Sequence, residues 1–204
     1  MFNGASGVTG ATVDAYGQVA VGHNFPFIAY IFNNTNPSAT LHPVPSQGDG
    51  DGNRNGDEIY SKGIRLRMQL ENNADKHNNT WKFWLVEYNS TQGMPAVPAN
   101  FFHAATGNNL LDAVQTDRWT ATLLGSYRTK ARGVPTAQKS DIFINKWIPF
   151  KRKLTFNSDD SLVMAKGMKE HLAIVGVCYD ASNTTGNTGV GNYRINATFY
   201  YGDP

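Results

Sequence analysis

The sequence predicts an all-β protein: an eight-stranded antiparallel jelly roll of two packed sheets, with long loops and one short helix. Three observations lead there. Several segments alternate apolar and polar residues with a period of two, the mark of half-buried strands. Twenty glycines and nine prolines fall mostly between the apolar runs, as turns require. The connections are long and polar, which suits a two-sheet roll better than an up-and-down barrel with short, even loops. With 204 residues, 40% of them hydrophobic and 12% aromatic, the chain can fill one such core. Residues 1–15 are expected to be a flexible arm and residues 16–204 a single domain.

The elements follow in order. Residues 17–32 are apolar around Pro26 and read as an edge or interrupted strand. A polar loop, 33–57, leads into strict alternation: Tyr60, Ile64, Leu66, Met68 and Leu70 on one parity, Ser61, Gly63, Arg65, Arg67, Gln69 and Glu71 on the other. The wet side of this strand carries two arginines and little compensating acid. Residues 81–88 (WKFWLVEY) are apolar on both parities. Such a strand is central and covered on both sides, or its outer face meets a neighbouring subunit. After the loop 89–107, residues 108–116 read as the short helix, capped by Asn108 or Asn109.

In 118–130, Trp119, Ala121, Leu123 and Tyr127 point inward, and Arg118, Thr120, Thr122, Ser126, Arg128 and Lys130 outward. Residues 142–150 and 153–156 read as two strands joined by a tight turn near Pro149. Residues 171–180 form a buried strand, and 192–201 close the chain.

Few catalytic signatures stand out, and the expectation is a protein that is not an enzyme and needs no cofactor. The single cysteine, Cys178, lies in an apolar run and reads as a core residue. The five histidines are scattered, with no pair at metal-ligand spacing. Asp51, Asn53 and Asn55 reproduce the first half of a calcium loop, with Gly56 sixth, but Lys62 stands where a bidentate Glu is needed. The loop is read as turn chemistry rather than a metal site. No apolar run reaches the length of a membrane span. The start lacks the basic and apolar regions of a secretory signal, so a soluble, cytosolically made protein is expected, and its N-x-Ser/Thr sequons read as chance.

Net charge is only +2, but the outward parities collect Arg65, Arg67, Arg118, Arg128, Lys130, Lys151, Lys153 and Arg194. That distribution predicts a basic surface that meets phosphates, other subunits, or both. Phe101, Phe102, Tyr200 and Tyr201 read either as loop anchors or as rings that pack on a neighbour or stack on unpaired bases.

Six stretches in order resemble capsid proteins of circovirus-like, circular single-stranded DNA (CRESS-DNA) viruses. They are GDGNRNGDEIYSKGIRLR, WKFWLVEY, LLDAVQTDRW, KWIPFKRKLTF, HLAIVGVCYD and NYRINATFYYGDP, and the resemblance covers roughly residues 48–204. The resemblance implies a single jelly roll, about sixty copies of which form a T=1 icosahedral shell around the genome. It also implies a virion protein that passes through host cytoplasm and nucleus during assembly, with loops 33–57 and 89–107 facing the host and its receptor. Its partners would be copies of itself and single-stranded DNA bound without sequence preference, with no membrane insertion.

Capsids of this type typically begin with a long arginine-rich arm, which residues 1–15 do not resemble. About sixty copies at +2 supply about +120, against about a thousand charges on a thousand-nucleotide genome. The folded domain is therefore expected to supplement genome neutralisation, not to supply it. The rival expectation is a jelly-roll carbohydrate-binding module, which would show exposed Trp or Tyr with acid and amide partners at its loop ends. Trp81, Trp84, Trp119 and Trp147 all fall in expected strands, which favours the capsid.

Overall fold

A computed structural model describes residues 19–33, 57–73, 76, 78–92, 95, 98–103, 108–130, 140–155, 171–181 and 189–202. Among them, eight strands pair in nested order. The chain's first strand, β1 (Val19–Gly22), lies antiparallel to its last, β8 (Gly189–Gly202). Inside that pair come β2 (Pro26–Asn33) with β7 (His171–Asp180), β3 (Glu58–Asn72) with β6 (Asp141–Thr155), and β4 (Asn78–Tyr88) with β5 (Thr120–Lys130). Antiparallel β8–β3 and β7–β4 pairings complete two four-stranded sheets, β1-β8-β3-β6 and β2-β7-β4-β5. A long hairpin rolled upon itself has this order, and it is the jelly roll.

The inner faces interdigitate. Ile64, Leu66, Met68 and Leu70 of β3 and Ile195, Ala197 and Phe199 of β8 pack against Trp81, Phe83 and Leu85 of β4 and Leu172, Ile174 and Cys178 of β7. Each fully buried Leu, Ile or Phe contributes about 1.5–3 kcal/mol of transfer free energy. Burial raises the Cys178 thiol well above its ordinary range, with the Asp180 carboxylate adding to it. That thiol is a core group rather than a nucleophile.

The other parity of β4 and β7 is buried too. Trp84, Val86, Tyr88, Ala173, Val175 and Val177 lie under a roof that carries Phe101, Phe102 and Trp119. Of the two covers open to WKFWLVEY, the chain's own is the one present. The roof is pinned by polar bonds: Trp119 Nε1 to the Asn100 carbonyl (2.9 Å), Gln115 Nε2 to Phe102 O (2.7 Å), and Lys82 Nζ to Leu110 O (2.7 Å).

Several element boundaries differ from expectation. The stretch expected as one strand holds two, β1 and β2, in different sheets, split where Asn24 turns with φ 56°. The turn expected at Pro149 is absent: β6 runs unbroken from Asp141 to Thr155. As an edge strand it tolerates a residue with no N–H to donate. The helix is not at 108–116, where turns are found, but at α1 (Pro98–Phe101). In β5, Leu123 faces solvent and Leu124 takes the core position, because a bulge with Gly125 at φ 155° shifts the parity. Trp119 and Ala121 point into the roofed cluster, not into the core between the sheets. Trp119 and Arg118 also precede β5 and lie outside it.

The alternation of β3 breaks at a bulge between Ser61 and Gly63. Tyr60 is therefore 49% exposed, while Ile59 and Ser61 point inward. Ser61 satisfies backbone groups that the bulge frees. Its Oγ donates to the carbonyls of Phe150 and Arg152 and accepts the Arg152 N–H at 2.9 Å.

Candidate nucleic-acid interface

The structure does not gather all eight expected basic residues. Five stand on the outward face of β1-β8-β3-β6: Arg65 and Arg67 on β3, Arg194 on β8, and Lys151 and Lys153 on β6. Arg118 lies in the turn before β5 and Arg128 on the exposed parity of β5, both on the side of the other sheet. Lys130 ends β5. The loop residues Asp51, Asn53 and Asn55, and the arm 1–15, lie outside the described residues.

Register orders this face into rows. Phe143, Gln69 and Arg194 lie side by side across β6, β3 and β8; then come Asn145, Arg67 and Asn196; then Trp147, Arg65 and Thr198. The next row holds Pro149, Gly63 and Tyr200. A Cβ on Gly63 would stand 2.4 Å from Trp147 Cζ2, so the missing side chain lets the indole lie across the strand. Tyr200 meets that indole edge-on, with ring centroids 5.3 Å apart.

Charge on the face is unevenly compensated. Lys153 is neutralised by Glu58 at 2.8 Å. Arg65 Nε instead donates to the neutral amide oxygen of Asn145 at 3.2 Å, and Arg194 Nη1 approaches Gln69 Oε1 at 3.5 Å. Among the described residues, no acid pairs with Arg65, Arg67 or Arg194. The amides orient two of these guanidinium groups without cancelling their charge.

Two basic residues on the inward parity of β6 do different work. Arg152 reaches across to the other sheet and pairs with Glu87 of β4 at 2.8 Å, where the carboxylate is buried. Lys146 Nζ donates to the Leu124 carbonyl of β5. Both tie the edge strand β6 to the facing sheet, Arg152 at β4 and Lys146 at β5, and do not belong to the outward surface.

The feature missed in the sequence is the pair of exposed rings on β6. Phe143 is 74% and Trp147 50% exposed, and both share the outward parity with Asn145. The alternation Ile144, Lys146, Ile148, Phe150 against Phe143, Asn145, Trp147, Pro149 already separates them, once 142–156 is read as one strand. Of the four rings singled out from sequence, Phe101, Phe102 and Tyr201 are buried anchors, and Tyr200 packs on Trp147.

Elsewhere the chemistry is sparse. Among the described residues no group of three or more His, Cys, Asp or Glu is placed to hold a metal, and no helix is long and apolar enough to cross a membrane. The fold and the face define a class: a jelly-roll domain with one roofed sheet and one open, basic, ring-bearing sheet. No protein-family model matches the chain, nor does any curated protein.

Proposed function

We propose that this chain is the coat subunit of a small icosahedral T=1 shell, about sixty copies enclosing a circular single-stranded DNA genome. The observation that carries the reading is the complete nested strand order with one sheet roofed and the other presenting uncompensated arginines. The ordered motif resemblance over residues 48–204 supports it. Function on this reading is self-association and non-specific polyanion contact, with Arg65, Arg67 and Arg194 as its centre and Lys151 beside them. Arg118 and Arg128, on the other side, fit contacts between subunits. Subunits of such a shell pass through host cytoplasm and nucleus before entering the virion.

Size-exclusion chromatography with electron microscopy of the full chain tests the shell. Uniform closed particles are expected. A chain that stays monomeric at high concentration, in both low and high salt, sinks the proposal.

A carbohydrate-binding module draws on one observation: half-exposed Trp147 lies in a face that also carries the amides of Asn145 and Asn196. Retention on neutral glycan resins, abolished by free sugar, would favour that reading.

A further inference from the structure

The open face of the β1-β8-β3-β6 sheet carries two parallel rails. On the edge strand β6, Phe143 and Trp147 present exposed rings four residues apart, about 13 Å along the strand. On the adjacent β3, about 5 Å to the side, Arg65 and Arg67 stand two residues apart, about 7 Å along the backbone. Arg194 on β8 flanks them from the far side, next to Gln69.

Apolar rings exposed in strand centres are expensive neighbours for water, and among the described residues of this face only Tyr200 packs a ring on one of them, Trp147. They alternate with amides and sit beside cations that no described acid neutralises. That composition does not suit a dry protein contact, which would leave three charges desolvated. It suits a ligand that offers flat unsaturated faces on one side and negative charge on the other.

We infer that this face is a base-stacking platform for single-stranded polynucleotide, with Phe143 and Trp147 receiving unpaired bases and Arg65, Arg67 and Arg194 holding the phosphates. The inference rests on the coat-subunit reading only for the class of partner, and it adds the residues, the mode and a selectivity. A single strand laid along β6 and β3 places its bases over the ring rail and its backbone over the arginines. A duplex keeps its bases stacked inside, so it meets the arginines alone and forfeits the ring contacts. The face thus discriminates single strands from duplex without reading sequence.

The molecule carries its own reporter. Trp81, Trp84 and Trp119 are buried, so Trp147 is the tryptophan whose emission a bound base can quench. The experiment titrates the full chain with oligothymidylate, with the same oligomer annealed to oligodeoxyadenylate, and with dextran sulfate. Oligothymidylate should quench the exposed component, and Trp147→Leu should abolish that quench and weaken binding about 10-fold. Phe143→Ser, at a position that holds nothing else in place, should weaken binding several-fold with the quench retained. Arg67→Gln should lower the slope of log affinity against log salt by about one. Duplex and dextran sulfate should bind with strong salt dependence and leave the emission unchanged.

Equal affinity of the parent and both ring variants for oligothymidylate overturns the inference, as does equal quenching by dextran sulfate. Circular dichroism of each variant guards against misfolding. The same samples are scored for particles by electron microscopy. Shells that form yet bind no better through the rings overturn the platform and leave the coat reading standing. Ring-dependent binding without any shells does the reverse.

Discussion

On the outside of the β2-β7-β4-β5 sheet the alternate residues are Trp84, Val86, Tyr88, Ala173, Val175 and Val177; on the outside of β1-β8-β3-β6 they are Arg65, Arg67, Gln69, Arg194 and Asn196. Both sets obey the same two-residue period and sit on central strands of one sandwich. Water decides the difference between them. The apolar set cannot be left wet, so the chain invests residues within 98–103 and 108–119 in a second small core above it. The polar set needs no cover, and no cover lies over it among the described residues. A sheet face left bare and cationic at this size is one that other molecules can use.

The comparison breaks most visibly at the roof. Phe101→Ala or Trp119→Ala removes a fully buried ring from the second core and should cost about 3–5 kcal/mol in urea unfolding. Trp147→Ala on the bare face should cost less than about 1 kcal/mol. Equal losses at the two faces would mean that the roof is no core at all.

Next in size is the clamp between the sheets. Arg152→Met keeps an unbranched side chain but removes the guanidinium that pairs with buried Glu87 and lies 4.7 Å from the Phe150 ring centroid. A loss of about 2 kcal/mol is expected, below that of a fully buried pair because the arginine is partly solvated. Equilibrium unfolding with the midpoint unchanged would show that the sheets are held by apolar packing alone.

A smaller effect is expected at Gly63, where the bare face is most crowded. A methyl group there meets the Trp147 ring and, at 2.7 Å, the Ile148 carbonyl oxygen. Gly63→Ala should cost about 1 kcal/mol, the low end for overpacking, because the ring is half-exposed and can shift. Combined with Trp147→Ala, part of that loss should return, because the ring can be removed but the carbonyl cannot. Full additivity in the double-mutant cycle would argue that Trp147 does not lie over Gly63.

Much of this architecture was legible, though not always for the right reason. The strand count of eight agrees because two misreadings cancel: the stretch read as one strand holds both β1 and β2, and the two strands expected after 142 share β6. In the first, Asn24 accepts a left-handed turn that side-chain patterning does not register. In the second, Pro149 and the basic residues after it look like a turn, yet proline is harmless on an edge strand, and edge position is a property of the assembled sheet.

The expected helix failed for a related reason. Asn108 does make a cap-like bond, its Oδ1 accepting the Leu110 N–H at 3.1 Å. Asn109, however, is drawn away to Asn24 through two bonds of 2.7 Å, and the segment stays a turn. Parity in 60–71 was readable as far as Ile64; before it, the bulge reversed Tyr60 and Ser61. The arginines of the open face were visible from alternation alone. Their company of exposed rings was not, because placing Trp147 in a strand does not settle which face it takes until 142–155 is read as one strand.

The smallest expected effect lies at the corner where the chain leaves one sheet for the other. His23 sits there between β1 and β2, buried, its Nδ1 accepting the Asp180 N–H at 3.2 Å and its ring 4.7 Å from that of Tyr179. Burial lowers its pKa below the ordinary 6.5; the Asp180 carboxylate opposes this and Lys76 adds to it. A proton on Nδ1 would also set N–H against N–H and delete the bond. The folded protein therefore binds fewer protons here than the unfolded chain. Its stability should be full above pH 6.5 and fall as the pH drops below that value. His23→Gln, which keeps an acceptor but cannot titrate, should flatten the dependence between about pH 6.5 and 5. An unchanged slope in the variant would place the acid sensitivity elsewhere in the molecule, and a flattened one would place it at this corner, outside both faces.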